Sequence, residues 1–321
     1  MKNILFVSDP LSTFKIYKDS TYVMMKEMAA RGISVWSCEP KDIFSLATSS
    51  VSATMQRIRI LPSNTGKGSE SEKWYSCETP RVKALCEMDA IVLRQDPPFN
   101  SEYFYLTHLL DVAKRQGTKV FNDPTAVRNH PEKLSILEFP ELTPATLVTR
   151  EAFKIKDFHA EHKDVILKPL DGMGGMGIFR IKEDGLNLGS VIESLTINGT
   201  QTVMVQKFLP AIEDGDKRVL LIDGVAVPYA LARIPQGGEV RGNLAAGGLG
   251  VARDLTKREI EIAQYLGPKL SGRGLFLVGL DVIGDYLTEI NVTSPTCFQE
   301  ITQQKGYDVA KTFVDALLKR L

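Results

Sequence analysis

The apolar and polar positions of this chain change period along its length, and the changes divide it. Ile4 to Val7 is a short apolar run of strand length, Ser20 to Arg31 has helical spacing closed by Gly32, and Ser34 to Cys38 is a second strand. Ala90 to Arg94 predicts a strand, Ser101 to Gln116 a helix closed by Gly117, and Lys119 to Asn122 a strand after it. Strands alternating with helices predict a parallel sheet covered by helices. No glycine fingerprint follows the first strand, so this part is not itself a dinucleotide site. Leu61 to Lys73 is polar and turn-rich and predicts a surface loop without chemistry.

Pro124 opens a region of different composition. Twenty of the twenty-five glycines fall between Gly172 and Gly284, where backbone must pack against a ligand or move. Val203 to Phe208, Lys217 to Ile222 and Val225 to Ile234 predict strands, and Thr256 to Leu270 a helix. The run Ile166 to Gly177 ends a strand on Lys168 and follows it with Gly172, Gly174, Gly175 and Gly177. A dinucleotide fingerprint opens a helix, but Ile178 to Lys182 alternates apolar and charged residues with strand period. The glycines therefore cap a hairpin, as a flap over nucleotide phosphates with Lys168 at its base. A plain glycine-rich turn with a surface lysine is the bland alternative.

Gly279 to Val292 predicts a second hairpin. A two-residue loop pairs Leu280 with Glu289 and mixes apolar with polar on each face. A three-residue loop of Gly284, Asp285 and Tyr286 pairs Leu280 with Ile290, Val278 with Val292 and Asp281 with Glu289, with Asn291 on the carboxylate side. The second register is preferred. Opposed carboxylates repel unless a cation lies between them, and oxygen ligands without nearby His or Cys favour Mg²⁺ over zinc. Ordinary solvent-facing carboxylates are the alternative.

Arg233 to Gly250 holds six glycines and few bulky residues, which predicts a mobile loop. Its Arg233 and Arg241 beside a nucleotide read as a lid that brings cationic charge to a transferred phosphoryl group, against a disordered insertion. Thirty-nine basic residues balance thirty-nine acidic ones, so charge calls for neither nucleic acid nor an anionic membrane. No run approaches the ~18 apolar residues of a membrane span. The opening MKNILFVSDP is interrupted too early for a signal peptide, which predicts a cytoplasmic protein. Cys38, Cys77, Cys86 and Cys297 lack metal-site spacing and read as reduced thiols.

The segments DPPF from Asp96, LTPATLVTR from Leu142, ILKPLDGMGG, LPAIEDGDKRVL from Leu209, LARIPQGGEVRGNLAAGG and GLDVIGDYLTEINVTSPT together resemble the bacterial glutathione synthetases. These are ATP-grasp ligases, and the resemblance runs from the first strand to the last helix. It implies an α/β fold in which a Rossmann-like, parallel-sheet domain (1–122) precedes an ATP-grasp domain. That domain divides into a subdomain with the flap (123–204) and one with the lid loop 234–250 and the metal site (205–321). The implied reaction joins γ-glutamylcysteine to glycine, consumes ATP and proceeds through an acyl phosphate; the implied cofactors are ATP and Mg²⁺, or Mn²⁺, and the implied assembly is a homotetramer.

Residue by residue, the resemblance makes Lys133 and Lys168 nucleotide lysines and Gly172 to Gly177 the flap. Gln206, Phe208 and Leu209 become the linker at the adenine edge, and Asp216 a further nucleotide contact. Asp281, Glu289 and Asn291 become metal ligands, while Arg218, Arg233 and Arg241 attend the acyl phosphate and the transferred phosphate. Lys18, Asp19, Ser20 and Arg94, with Ser294, Pro295 and Thr296, become positions for peptide and product. The pattern breaks at Leu249, where the family's lid more often carries an arginine. A ligase joining D-alanines or adding glutamate would keep the nucleotide and metal residues and change the acceptor pocket. A non-catalytic nucleotide-binding module would need no arginine-bearing lid, and no HRD-like loop or DFG segment supports a kinase.

Overall fold

A computed structural model describes residues 2–47, 50–62 and 73–321. Strands β1 (Asn3–Ser8), β2 (Ser34–Cys38), β3 (Ile43–Ala47), β4 (Ser50–Ile60), β5 (Tyr75–Cys77), β6 (Arg81–Ala84), β7 (Ala90–Arg94) and β8 (Lys119–Phe121) make the first sheet, with helices α1 (Ser20–Ala30), α2 (Ser101–Arg115) and α3 (Pro124–Asn129). Its spine runs β3-β4-β2-β1-β7-β8, with β5 and β6 paired to β4. The pairs β2–β1, β1–β7 and β7–β8 are parallel. The apolar run of β1 has two destinations: Ile4 and Phe6 pack with Met24, Met25 and Met28 of α1, and Leu5 and Val7 with Leu106 and Leu110 of α2. A strand buried on both faces carries no alternation, which is why it reads as a continuous run.

The expected parallel sheet is the row β2-β1-β7-β8, and antiparallel strands extend it. Residues between β2 and β7 fold back, and β4 pairs antiparallel with β2, β3, β5 and β6. Strand β4 alternates buried and less buried positions from Ser50 to Met55, a strand-period signal passed over in the sequence. Most of the expected surface loop Leu61 to Lys73 lies outside the described residues.

Two antiparallel sheets follow. The smaller contains β9 (Thr146–Thr149), β10 (Val165–Pro169), β11 (Phe179–Ile181) and β12 (Val203–Lys207), in the order β11-β10-β12-β9, with α4 (Ala152–His162) and α5 (Leu188–Thr196). Val165, Leu167, Val203 and Val205 pack on Ile155, Val191 and Ile192 of those helices. The alternate positions, Ile166, Lys168 and Gln206, therefore point the other way. The larger sheet contains β13 (Asp216–Ile222), β14 (Val225–Ile234), β15 (Leu249–Asp254), β16 (Leu277–Ile283) and β17 (Tyr286–Asn291), in the order β15-β14-β13-β16-β17. Helix α6 (Lys257–Gly272) covers one face through Ile262, Leu266 and Leu270. Helices α7 (Phe298–Lys305) and α8 (Val309–Arg320) join this unit to the first sheet through Phe298 and Phe313.

Two expectations about loops change. Arg233 and Ile234 belong to β14, as the strand expected over Val225 to Ile234 has them, and Leu249 and Gly250 to β15, so the loop between them spans only 235–248. The last hairpin turns on Gly284 and Asp285 alone, since Ile283 pairs with Tyr286. A register shift beside Asp281 absorbs the extra residue, so Leu280 still pairs with Ile290 and Asp281 with Glu289. The irregularity lies inside the strand, at Thr288, rather than in a longer turn.

Candidate active site

The two antiparallel sheets and the end of the first sheet enclose a cleft of about 440 Å³. On the larger sheet, strand alternation gathers the charged side chains of four strands on one face. Arg218 lies opposite Asp281, Asp216 opposite Arg233, Asp281 opposite Glu289 and Gly279 opposite Asn291. Arg218 donates to Asp281 through Nε to Oδ1 at 2.6 Å and through Nη2 to Oδ2 at 3.1 Å. Arg233 reaches Asp281 Oδ2 at 2.9 Å and also donates to Asp216 Oδ2. Gly279 is required beneath this pair, since a Cβ there would stand 2.8 Å from Arg218 Cδ.

These groups are buried, so their pairing decides their charge. Burial pushes Asp281 toward the neutral acid, but the Arg218 and Arg233 guanidiniums outweigh it and hold the carboxyl well below its usual range. Burial raises Asp216 to about 6 against the opposing pull of Arg233. Its Oδ1 is buried with no hydrogen-bond partner. A buried acceptor in that condition suits a ligand donor.

The opposite wall comes from the smaller sheet. Lys168 is 7 % exposed and donates to Thr288 O at 3.4 Å, the residue at the irregularity in β17. Burial lowers its ammonium from 10.5 to about 8, opposed by the nearby Glu289 carboxylate. Lys133 donates to Gly172 O at 2.6 Å and to Glu289 Oε1 at 3.1 Å, tying the flap to the carboxylate strand. The glycine loop joins antiparallel β10 and β11, as its sequence predicts, and Gly174, Gly175 and Gly177 all have positive φ. The lid rests on the flap: Arg241 donates to Gly175 O at 3.4 Å, while Glu239 holds its guanidinium at 2.8 Å. Ile166, Phe208, Leu209 and Ile212 line an apolar end of the cleft. Gln206 also lines the cleft and donates to Thr146 Oγ1 at 3.0 Å, and Phe208 stacks on the Arg180 guanidinium at 3.5 Å.

Lys18, Asp19, Ser294, Pro295 and Thr296 line the remaining end. Three residues expected at the site stand behind its wall. Gly177 packs on Pro169, Ser20 Oγ accepts from Phe298 N at 3.2 Å, and Arg94 donates to Thr21 Oγ1 and Pro295 O, both at 3.0 Å. Lining residues that the sequence reading did not assign include Glu132, Asp96 and Cys297, besides Lys15 and Glu300. Glu132 precedes Lys133 and Asp96 begins DPPF, so each sat beside a residue already singled out. Cys297 follows Thr296 directly, six residues after Asn291, and so qualifies the absence of nearby Cys; burial pushes its thiol up to about 11, which keeps it protonated.

Asp281, Glu289 and Asn291 fit a hard divalent cation only with the lone pairs left to them, since Asp281 already accepts from Arg218 and Arg233, and Glu289 from Lys133. The donors are oxygens, and Asn291 Nδ2 is committed to Gly279 O at 3.1 Å, leaving Oδ1 for a cation.

The architecture is that of the ATP-grasp ligases. D-cycloserine synthetase DcsG superposes at a TM-score of 0.67 with 15 % identity, covering 99 % of each chain. The ATP-grasp ligase PsnB, complexed with a minimal precursor, Mg and ADP, superposes at 0.63 with 19 % identity, covering 98 % of this chain and 96 % of its own. At those identities the likeness concerns the fold alone. Family models place the prokaryotic glutathione synthetase N-terminal domain at residues 2–128 and its ATP-grasp domain at 132–306, and the chain belongs to that family. Glutathione synthetase of Ralstonia nicotianae is 58 % identical over 98 % of this chain and 94 % of its own length. That of Neisseria meningitidis serogroup A is 49 % identical over 98 % of both. The protein is an ATP-dependent ligase of glutathione synthesis that works with a divalent metal.

Proposed function

We propose that the cleft joins γ-glutamylcysteine to glycine at the expense of ATP, through a cysteinyl acyl phosphate. The observation that carries this reading is the single buried face holding Asp216, Arg218, Arg233, Asp281 and Glu289 opposite Lys133, Lys168 and the flap. Adenine fits the apolar end beside Phe208 and Leu209, Asp216 Oδ1 accepts from the nucleotide, and the phosphates run under Gly172, Gly174 and Gly175 toward the two lysines. Arg218 and Arg233, fixed by Asp281 and Asp216, counter the oxygen charge that grows as the carboxylate takes the phosphoryl group. Arg241 closes with the lid and excludes water that would hydrolyse the acyl phosphate. Lys18, Asp19 and the segment Ser294 to Thr296 hold the dipeptide, with Arg94 and Ser20 supporting them from behind.

Asp281, Glu289 and Asn291 hold Mg²⁺ in this reading, and the ion supplies charge neutralisation to the nucleotide phosphates. In the division into units 1–122, 123–204 and 205–321, the first unit gives Lys18 and Asp19 to the peptide and the second gives Lys133, Lys168 and the flap to the phosphates, while the third holds the metal positions and completes both the adenine end and the peptide end. Among the described residues no helix is long and apolar enough to cross a membrane. A cytoplasmic homotetramer is the assembly we expect, testable by light scattering.

The deciding experiment is ADP release from ATP, Mg²⁺, γ-glutamylcysteine and glycine, with each omitted in turn and D-alanine replacing the dipeptide. Turnover that needs both substrates and yields glutathione supports the reading. ADP formed only with another acid and amine would keep the ligase and discard these substrates.

A further inference from the structure

The segment from Val292 to Cys297 leaves β17 beyond its last ladder pair, Gly279 with Asn291, and enters α7. Side chains from distant parts of the chain hold it. Glu132 Oε1 accepts from Val292 N at 2.9 Å, Thr293 N at 3.1 Å and Thr293 Oγ1 at 2.8 Å. The Glu132 carbonyl also accepts from Ile290 N at 3.0 Å. Asp96 takes the Ser294 hydroxyl, and Arg94 donates to Pro295 O. Val292 and Thr293 are 1 % and 5 % exposed, so water is a poor substitute for the carboxylate at their N–H groups. The neighbouring Lys133 grips Glu289 and the flap at Gly172. Two consecutive residues thus fasten the nucleotide roof and the peptide loop to one point.

We propose that Glu132 is a positioning residue for the dipeptide: it acts through residues 292–296 and sets their shape before substrate arrives. The inference rests on the substrate reading above. What matters in it is the acceptor oxygen, not the negative charge, because the partners are two backbone N–H groups and a hydroxyl. An amide keeps that acceptor and a methyl does not, which separates this role from charge pairing with a metal or an ammonium group.

The test compares the full-length chain with Glu132→Ala and Glu132→Gln, measuring KM for γ-glutamylcysteine, glycine and ATP, and Mg-ADP affinity by calorimetry without turnover. Glu132→Ala should raise the dipeptide KM about tenfold, the effect of leaving buried N–H groups unpaired. It should leave Mg-ADP affinity within about twofold, and Glu132→Gln should recover most of the lost dipeptide affinity. The proposal is overturned if the glutamine variant is as impaired as the alanine one, if nucleotide and dipeptide affinity fall together, or if alanine changes nothing. Should Glu132→Ala not fold, Thr293→Val removes one donor and must raise the dipeptide KM selectively. If the wild-type chain uses a different carboxylic acid, the substrate reading fails, and the same comparison with that acid still decides the role of Glu132.

Discussion

The floor and the roof of the cleft are built on opposite principles. The floor is a strand surface in which Asp216, Arg218, Arg233 and Asp281 are each less than a tenth exposed and joined in one ionic row. The roof is two loops whose contacts are mainly backbone, with Met176 63 % exposed and Gly174, Gly175, Gly237 and Gly238 at positive φ. Charge that must meet a reacting phosphoryl group is placed on rigid elements, where no reorganisation is needed when it acts. Entry is left to segments with little side-chain packing to break. Substitutions in the floor should therefore reduce kcat, and substitutions in the roof should act on KM.

The largest expected effect is in the floor. Glu289→Gln should leave the circular dichroism spectrum unchanged and lower kcat by about 100-fold or more at saturating Mg²⁺ if Glu289 holds the metal as proposed, because the ligand loses its charge. Near-normal turnover would count against the carboxylate assignment. Arg233→Met comes next and should cost stability as well, by about 3 kcal/mol, because Asp216 loses its partner and Asp281 one of two. Adding Asp216→Asn should restore much of the melting temperature but none of the turnover. Joint recovery would make Arg233 structural and erase the contrast between floor and roof.

Lys168 belongs to the wall between them and gives a pH signature. Its folded pKa of about 8 lies below the ordinary 10.5, so between those values the unfolded chain binds a proton that the folded chain has released. Stability from this group therefore rises with pH across that window. ATP binding should move the opposite way, with kcat/KM for ATP falling up to about tenfold per unit above pH 8 as the ammonium is lost. Lys168→Arg should remove that limb. A limb that persists in the arginine variant would assign it to another group.

The floor was more legible in the sequence than its surroundings. Alternation alone put Asp281, Glu289 and Asn291 on one face, because a period of two survives a local irregularity on either side of it. It could not place the extra residue, since a longer turn and an in-strand shift give the same register at Asp281. Arg233 fell under two readings, the end of a strand and the start of the lid, because glycine crowding begins just after it; its pairing with Asp216 keeps it in β14. Glu132 and Arg94 were harder still. Their partners lie 160 and 201 residues away, a separation that no local pattern encodes. Strand β4 carried the ordinary alternation from Ser50 to Met55, but helix–strand alternation on both sides of it drew the reading toward the parallel strands alone.

In the roof, Gly175→Ala should raise the ATP KM about tenfold with little change in melting temperature, within the reach of 1–3 kcal/mol of local backbone strain. The residue sits at φ +84°, and an added Cβ would lie 2.8 Å from Asn243 Oδ1, so the strain falls where flap meets lid. A fall in kcat at unchanged KM would mean that flap geometry enters the chemical step.

The smallest effect tests where the roof ends. Leu249 stands where the resemblance leads one to expect an arginine in the lid, and an arginine there would be expected to help hold the lid closed. The structure puts Leu249 at the first residue of β15, opposite Ile234 and 53 % exposed, with its backbone already fixed by the sheet. Leu249→Arg adds a cation beside the loop without changing the strand, and an exposed charge contributes up to about 1 kcal/mol. The expected outcome is a change of about two- to fivefold in the glycine or dipeptide KM with kcat unaltered. Unchanged Michaelis constants for all three substrates would confine lid closure to residues 235–248 and to Arg241. A change in kcat would mean that the edge strand moves with the lid, and the boundary between rigid floor and mobile roof would then run through β15.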